Sequence, residues 1–152
     1  MDKRKLIQDQ LDSKFILFQQ LAGIAVPPSG WIFSIRKGIN MTLKQLGKRL
    51  SITPQSVRGI EEREKDGTVS MKVLRQVAAA LDMQFVYGFV PKDKTLAGMI
   101  ERKAYELAGT IVDRTSIQME IEDQKVTDKR LKKAIKEKAE ELIRETPSIL
   151  WD

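Results

Sequence analysis

Two helix-start signals, eleven residues apart, organise this chain. In the stretch TLKQLGKRLSITPQSVRGIEE, Thr42 is followed three residues on by Gln45, a reciprocal pair that satisfies unpaired amides at a helix N-terminus. Leu43, Leu46, Gly47 and Leu50 then fall at i, i+3, i+4 and i+7, one apolar helical stripe. Ser51-Ile52 makes the turn. Thr53 is a second cap, with Pro54 at the first helical position, where a missing N–H costs nothing. Val57 and Ile60 face inward from the second helix, leaving Gln55, Ser56 and Arg58 on its outer face near the N-terminal end.

The flanking sequence supplies further helices. Residues 3–21 place Ile7, Leu11, Phe15, Phe18 and Leu21 near helical spacing, an amphipathic N-terminal helix that serves packing or dimerisation. Pro27-Pro28 breaks the chain, so residues 1–29 read as a helix plus linker. Trp31, Ile32, Ile35 and Ile39 predict the packing face of the next helix, with Gly38 at its end, Trp31 as a core anchor, and Arg36 and Lys37 pointing away. After the charged turn Glu61–Gly67, Ser70 caps a helix over Met71–Leu81.

Met83 to Pro91 changes character. Its β-branched and aromatic run, stopped by proline, predicts one short β-strand. A lone strand leaves backbone groups unpaired, and no second strand of similar quality is present. A matching strand from a second copy is therefore expected, with Phe85, Val86, Tyr87 and Phe89 at a homodimer interface. Residues 92–152 then read as a helical extension: one helix from Lys94 to about Glu120, and a second, capped by Thr127, ending at Thr146-Pro147. The expected fold is mainly α, a helical bundle over residues 30–91 with that strand and flanking helices at both ends.

Composition narrows the chemistry. There is no cysteine and no histidine, which removes disulfides, zinc fingers, Ser-His-Asp triads and most metal hydrolases. A binder is expected, with no cofactor, no metal and no enzymatic activity. No apolar run approaches the ~18 residues of a membrane span, and no secretory signal opens the chain, so a cytoplasmic protein is expected. The net charge of +6 is concentrated. Residues 30–65 carry eight basic side chains against three acidic, whereas residues 66–152 carry fifteen of each. The excess sits where phosphate neutralisation would be needed.

Leu46, Gly47, Leu50, Ile52, Thr53, Gln55, Ser56, Val57, Ile60 and Glu61 resemble the helix-turn-helix of the Cro/phage-repressor (xenobiotic-response-element) family. Ser51 stands where that family often has a turn glycine, and Gly59 where a longer base-reading side chain is common. The resemblance implies that the second helix presents its N-terminus to the major groove of double-stranded DNA. Gln55, Ser56 and Arg58 are then the expected base contacts. Thr42, Lys44, Lys48, Arg49, Arg36 and Thr53 are the expected phosphate contacts, and a dimer implies a palindromic operator.

Over most of its length the chain also resembles the family called mobile mystery protein A. The resemblance is carried by Pro27-Pro28-x-Gly30-Trp31-Ile32, Met41-Thr42-Leu43-x-Gln45-Leu46, Glu61-x-Arg63-Glu64 with Gly67-Thr68-Val69, Leu74-Arg75 with Ala78-Ala79-x-Leu81-Asp82, Val86-Tyr87-x-Phe89-Val90-Pro91 and the Leu150-Trp151-Asp152 ending. It implies a bacterial transcriptional regulator or repressor, typically encoded beside a Fic-domain protein, that regulates its own operon. The alternative is an antitoxin or adaptor that binds and inhibits that Fic-domain partner. Ser116-x-x-x-Glu120 has the spacing of a Fic-inhibitory motif, but Ile121 fails its last position, so a solvent-facing pair is expected there.

Overall fold

The computed structural model describes residues 2–121 and 127–152. The described elements are helices α1 (Lys3–Phe18, continued by a 3-10 turn Gln19–Leu21), α2 (Trp31–Gly38), α3 (Leu43–Leu50), α4 (Pro54–Asp66), α5 (Met71–Ala80), α6 (Leu96–Ile121) and α7 (Asp128–Glu145). A closing 3-10 turn covers Ser148–Trp151. The chain divides into two compact units, Gly23–Gly88 and a second made of Met1–Ala22 with Phe89–Asp152.

In the Gly23–Gly88 unit the caps act as the sequence predicts. Gln45 N donates to Thr42 Oγ1 at 3.1 Å while Thr42 N donates to Gln45 Oε1 at 2.9 Å, so both arms of the box are closed. Ser70 Oγ accepts from Val73 N at the start of α5. These helices bury Ile32, Leu46, Val57, Ile60, Val77 and Leu81 in one core, with Met41, Leu43, Leu50 and Ile52 packed around it. Gly47 is required by a close approach: a Cβ there would lie 2.7 Å from the Ile52 carbonyl oxygen. Ser51 takes the left-handed conformation at φ 58°, and Ile52 N closes the turn onto Gly47 O at 2.9 Å. The serine in place of a turn glycine thus carries a backbone conformation that glycine adopts without strain.

Three expectations for this region change. The stretch Glu61–Gly67 is not a turn, because α4 runs on through Asp66 with Gly67 as its C-cap. Trp31 is not a core anchor but 45 % exposed, and Ile39 is also exposed, leaving Ile32 as the buried member of the α2 face. The short β-strand over Met83–Pro91 does not form: no strand occurs among the described residues. A period-2 apolar pattern makes a strand only where a ladder partner exists. This stretch lies in irregular backbone instead, with the Phe85 and Tyr87 rings stacked at 5.8 Å and the Arg75 guanidinium 5.5 Å from the Tyr87 ring centre.

The second unit joins the two ends of the chain. Ala104, Ala108 and Ala139 are fully buried between the antiparallel helices α6 and α7, where small side chains let the backbones approach, and Ile100, Leu142 and Leu150 complete the core. Thr127 caps α7, as its sequence predicts, by accepting from Arg130 N. At the start of α6, Arg102 grips Asp93 through two 2.9 Å bonds that hold the Asp93 carboxyl below the usual carboxylate range.

Helix α1 belongs to the same compact unit as α6 and α7. Asp12 accepts from Leu96 N at 2.6 Å and from Ala97 N at 3.2 Å, capping α6 from across the sequence. Gln19 Nε2 donates to Lys94 O, and Arg4 Nη1 donates to the carbonyls of Glu145 and Thr146 at the end of α7. An acidic cap at a helix N-terminus and a cation at a C-terminus both complement the helix dipole. The side chain of Glu120 lies outside the described residues, so the Ser116–Glu120 spacing has no structural counterpart to describe. No helix among the described residues is long and apolar enough to cross a membrane.

Asp12→Ala removes the α6 cap and is expected to lower unfolding stability by about 0.5–2 kcal/mol. Asp12→Asn, which keeps an acceptor, recovers part of the loss. Denaturant melts of the three proteins check this, and coincident midpoints would show that α6 does not depend on α1.

Candidate nucleic-acid interface

The outward face of α4 is set by what its inward face holds. Val57 and Ile60 are buried in the core, and beside them two carboxylates three residues apart grip α2. Glu64 accepts from Trp31 N at 2.7 Å and Ile32 N at 2.8 Å, capping α2 where its own sequence offers only Gly30. Gly30 is needed there: its φ is 86°, and a Cβ would press against Glu64 Oε1 at 3.0 Å. One turn earlier, Glu61 takes Arg36 in a bidentate pair, Nε to Oε1 at 2.6 Å and Nη2 to Oε2 at 3.2 Å. A third arm, Arg36 Nη1, donates to Met41 O at 3.0 Å, just before the Thr42 cap of α3.

Arg36 therefore leaves the expected set of phosphate contacts. It is only 5 % exposed and committed to Glu61. Helical periodicity assigned it outward because it is charged; its partner lies 25 residues away, beyond the reach of any local pattern. Glu61 and Glu64 are the positions holding α4 to α2 that sequence reasoning missed. The available signal was a spacing of three between acidic residues on the inward side of α4, next to Val57 and Ile60.

The other expected contacts lie where a ligand can reach them. Gln55, Ser56 and Arg58 are exposed on the first turns of α4, and Thr42, Lys44, Lys48 and Thr53 are exposed on or beside α3 and its turn. Thr53 Oγ1 accepts from Ser56 N at 3.1 Å and sits 2.9 Å from Ser56 Oγ, so these two hydroxyls are coupled at the helix start. Among the described residues, no side-chain hydrogen bond or ion pair engages Gln55, Arg58, Lys44 or Lys48. Arg49 is half exposed but tethered: its Nη1 donates to Ala80 O at 3.0 Å and lies 3.6 Å from Asp82.

Two open grooves flank α4. Arg49, Gln55, Ser56, Gly59, Arg63 and Gln76 line one, on the α5 side. Lys37, Thr42, Lys44, Pro54, Arg58 and Lys65 line the other, on the α2 side. The unit Gly23–Gly88 holds ten basic and five acidic side chains, and two of the five acids, Glu61 and Glu64, are turned onto α2. Lys44 and Arg58 thus share a groove with Pro54 at the start of α4, a helix N-terminus whose amides and dipole favour anions.

Of the expected dimer residues, Phe85 is half-buried, while Val86, Tyr87 and Phe89 are exposed, Phe89 by 82 %. Phe89 falls in the unit with α1, α6 and α7 and the other three in the unit with α2–α5, so the four do not form one continuous strand face within either unit.

Residues 32–87 match the helix-turn-helix family model. The match, to a Cro/C1-type family that is not typically enzymatic, supports a DNA-binding regulator in general terms. No curated protein and no solved structure matched the chain.

Glu61→Ala leaves the Arg36 guanidinium buried without a counter-charge, and is expected to cost roughly 3–5 kcal/mol of stability. Replacing both residues, as Arg36→Met with Glu61→Leu, should recover most of it. Chemical denaturation of the single and double variants checks this; a single-variant loss below about 1 kcal/mol would mean that the pair behaves as a solvated surface contact.

Proposed function

We propose that the protein is a sequence-specific regulator of transcription that binds double-stranded DNA with α4 in the major groove. The observation that carries this reading is the exposed, uncommitted row Gln55 and Arg58 at the start of α4, beside Lys44 and Lys48, on a domain matched to the helix-turn-helix family. Gln55 has the amide geometry to bond both N6 and N7 of adenine, and Arg58, about one turn on, reads a guanine or holds a phosphate. Ser56 serves either role after its hydroxyl leaves Thr53. Thr42, Lys44, Lys48, Arg49 and Thr53 fix the register on the backbone, with Arg49 anchored by Ala80 O so that little is lost in ordering it.

Two copies on a palindrome would space their α4 helices by about one turn of DNA, ~34 Å. Within the helix-turn-helix unit, the exposed Val86 and Tyr87 are the side chains we assign to that pairing, through apolar packing rather than a strand ladder. Control of an operon shared with a Fic-domain protein rests on the resemblance to mobile mystery protein A. Co-purification of the two would support a direct contact, and loss of Fic activity in the complex would favour the antitoxin reading.

Selection of duplexes from a random library, followed by footprinting on the promoter of its own gene, tests the proposal. A recovered palindrome that is also protected in the promoter is the expected result; recovery of unselected sequence would reject it. Gln55→Ala is expected to relax preference at one base pair and cost about 1–3 kcal/mol of binding, and an equal loss on every duplex would reject base reading by Gln55. Lys48→Ala should weaken binding on all sequences alike and lower the salt slope by about one, and an unchanged slope would remove Lys48 from the phosphate contacts.

A further inference from the structure

Gln55, Gly59 and Arg63 stand four residues apart, along one row of α4. Gly59 leaves a gap in that row, and the gap is not empty. Arg63 Nη1 lies 3.2 Å from the position that a Cβ on Gly59 would take. Helical side chains lean toward the N-terminus and cover the turn before their own. Arg63 does so here without obstruction, because residue 59 has no side chain to stand in its way.

The surroundings leave this guanidinium uncommitted. Glu64, next to it in sequence, is held by the amides of Trp31 and Ile32, and Glu61 by Arg36. Glu62 lines the opposite groove. Among the described residues no side-chain hydrogen bond or ion pair holds Arg63, which lines the same groove as Gln55 and Ser56.

We propose that Arg63, folded back over Gly59, is a base-reading residue of α4: its planar fork takes the O6 and N7 of a guanine beside the base pair read by Gln55. The glycine is then a recess that lets a residue one turn further along the helix supply the contact. This inference rests on the reading of α4 as the helix that enters the major groove.

The test is duplex selection and titration with the full chain and with Arg63→Ala, Arg63→Lys, Gly59→Leu, and Gly59→Leu combined with Arg63→Ala. Both Arg63→Ala and Gly59→Leu replace a residue by a good helix former, so α4 is not put at risk. The wild-type profile should contain a guanine preference that Arg63→Ala loses, with affinity for the preferred duplex falling about ten- to hundredfold. Arg63→Lys should not restore the preference, because a point charge lacks the bidentate fork. Gly59→Leu should reproduce the loss by filling the recess, and should add nothing when Arg63 is already alanine.

A uniform loss on all duplexes with a reduced salt slope makes Arg63 a phosphate contact and overturns the inference. So does a Gly59→Leu penalty that persists in the Arg63→Ala background, or an Arg63→Ala profile identical to wild type while Gln55→Ala changes its own position. A wild-type chain that selects no duplex overturns this inference together with the reading beneath it.

Discussion

The grip of α4 on α2 sets the orientation of everything the domain presents to a ligand. Glu64 closes the open amides at one end of α2, and Glu61 locks Arg36 near the other. Two contacts one turn apart define both the tilt of α4 and its rotation about its own axis, which a single apolar contact would leave loose. An ion pair this deeply buried recovers its desolvation cost only through good geometry and further hydrogen bonds. Arg36 has both, with two bonds to Glu61 and one to the Met41 carbonyl. Its value lies more in specifying one arrangement of helices than in net stability, since apolar residues of similar volume would pack as well.

Because the clamp consumes two carboxylates and one guanidinium on the inward side, it also sorts the charge of the domain. Arg36 is withdrawn from solvent and Arg49 is tethered to the end of α5, while Lys44, Lys48 and Arg58 stay uncommitted around the start of α4. A long-range field of the kind that attracts a polyanion therefore coincides with the side chains we propose as base contacts. The caps at Thr42 and Thr53 use local side chains to satisfy some of the first amides of α3 and α4, leaving other N-terminal amides of the kind that bind anions.

Local grammar made much of this readable in advance. Thr42 with Gln45, Thr53 with Pro54, Ser70 and Thr127 each mark a helix start that the fold contains, because a cap is decided by residues within one turn. What escaped was decided by partners far along the chain. Arg36 reads as a surface cation until Glu61 is brought to it, and Asp12 reads as an ordinary helix residue until it meets the amides of Leu96 and Ala97. Met83–Pro91 carries the composition of a strand without anything to pair with, and Trp31 carries the look of an anchor at a position the core does not cover. Gly59 reads as a missing contact, and its meaning as a recess depends on the direction in which Arg63 lies.

Backbone amide chemical-shift mapping of the isotope-labelled full chain, titrated with its selected duplex, addresses the central claim most directly. The largest perturbations are expected at Thr53, at Gln55 to Gly59, and at Lys44 and Lys48, with the backbone amides of Arg36 and Glu61 keeping their free-state positions. Perturbations confined to α6 and α7, or a change at Arg36 reporting that the clamp opens, would contradict it.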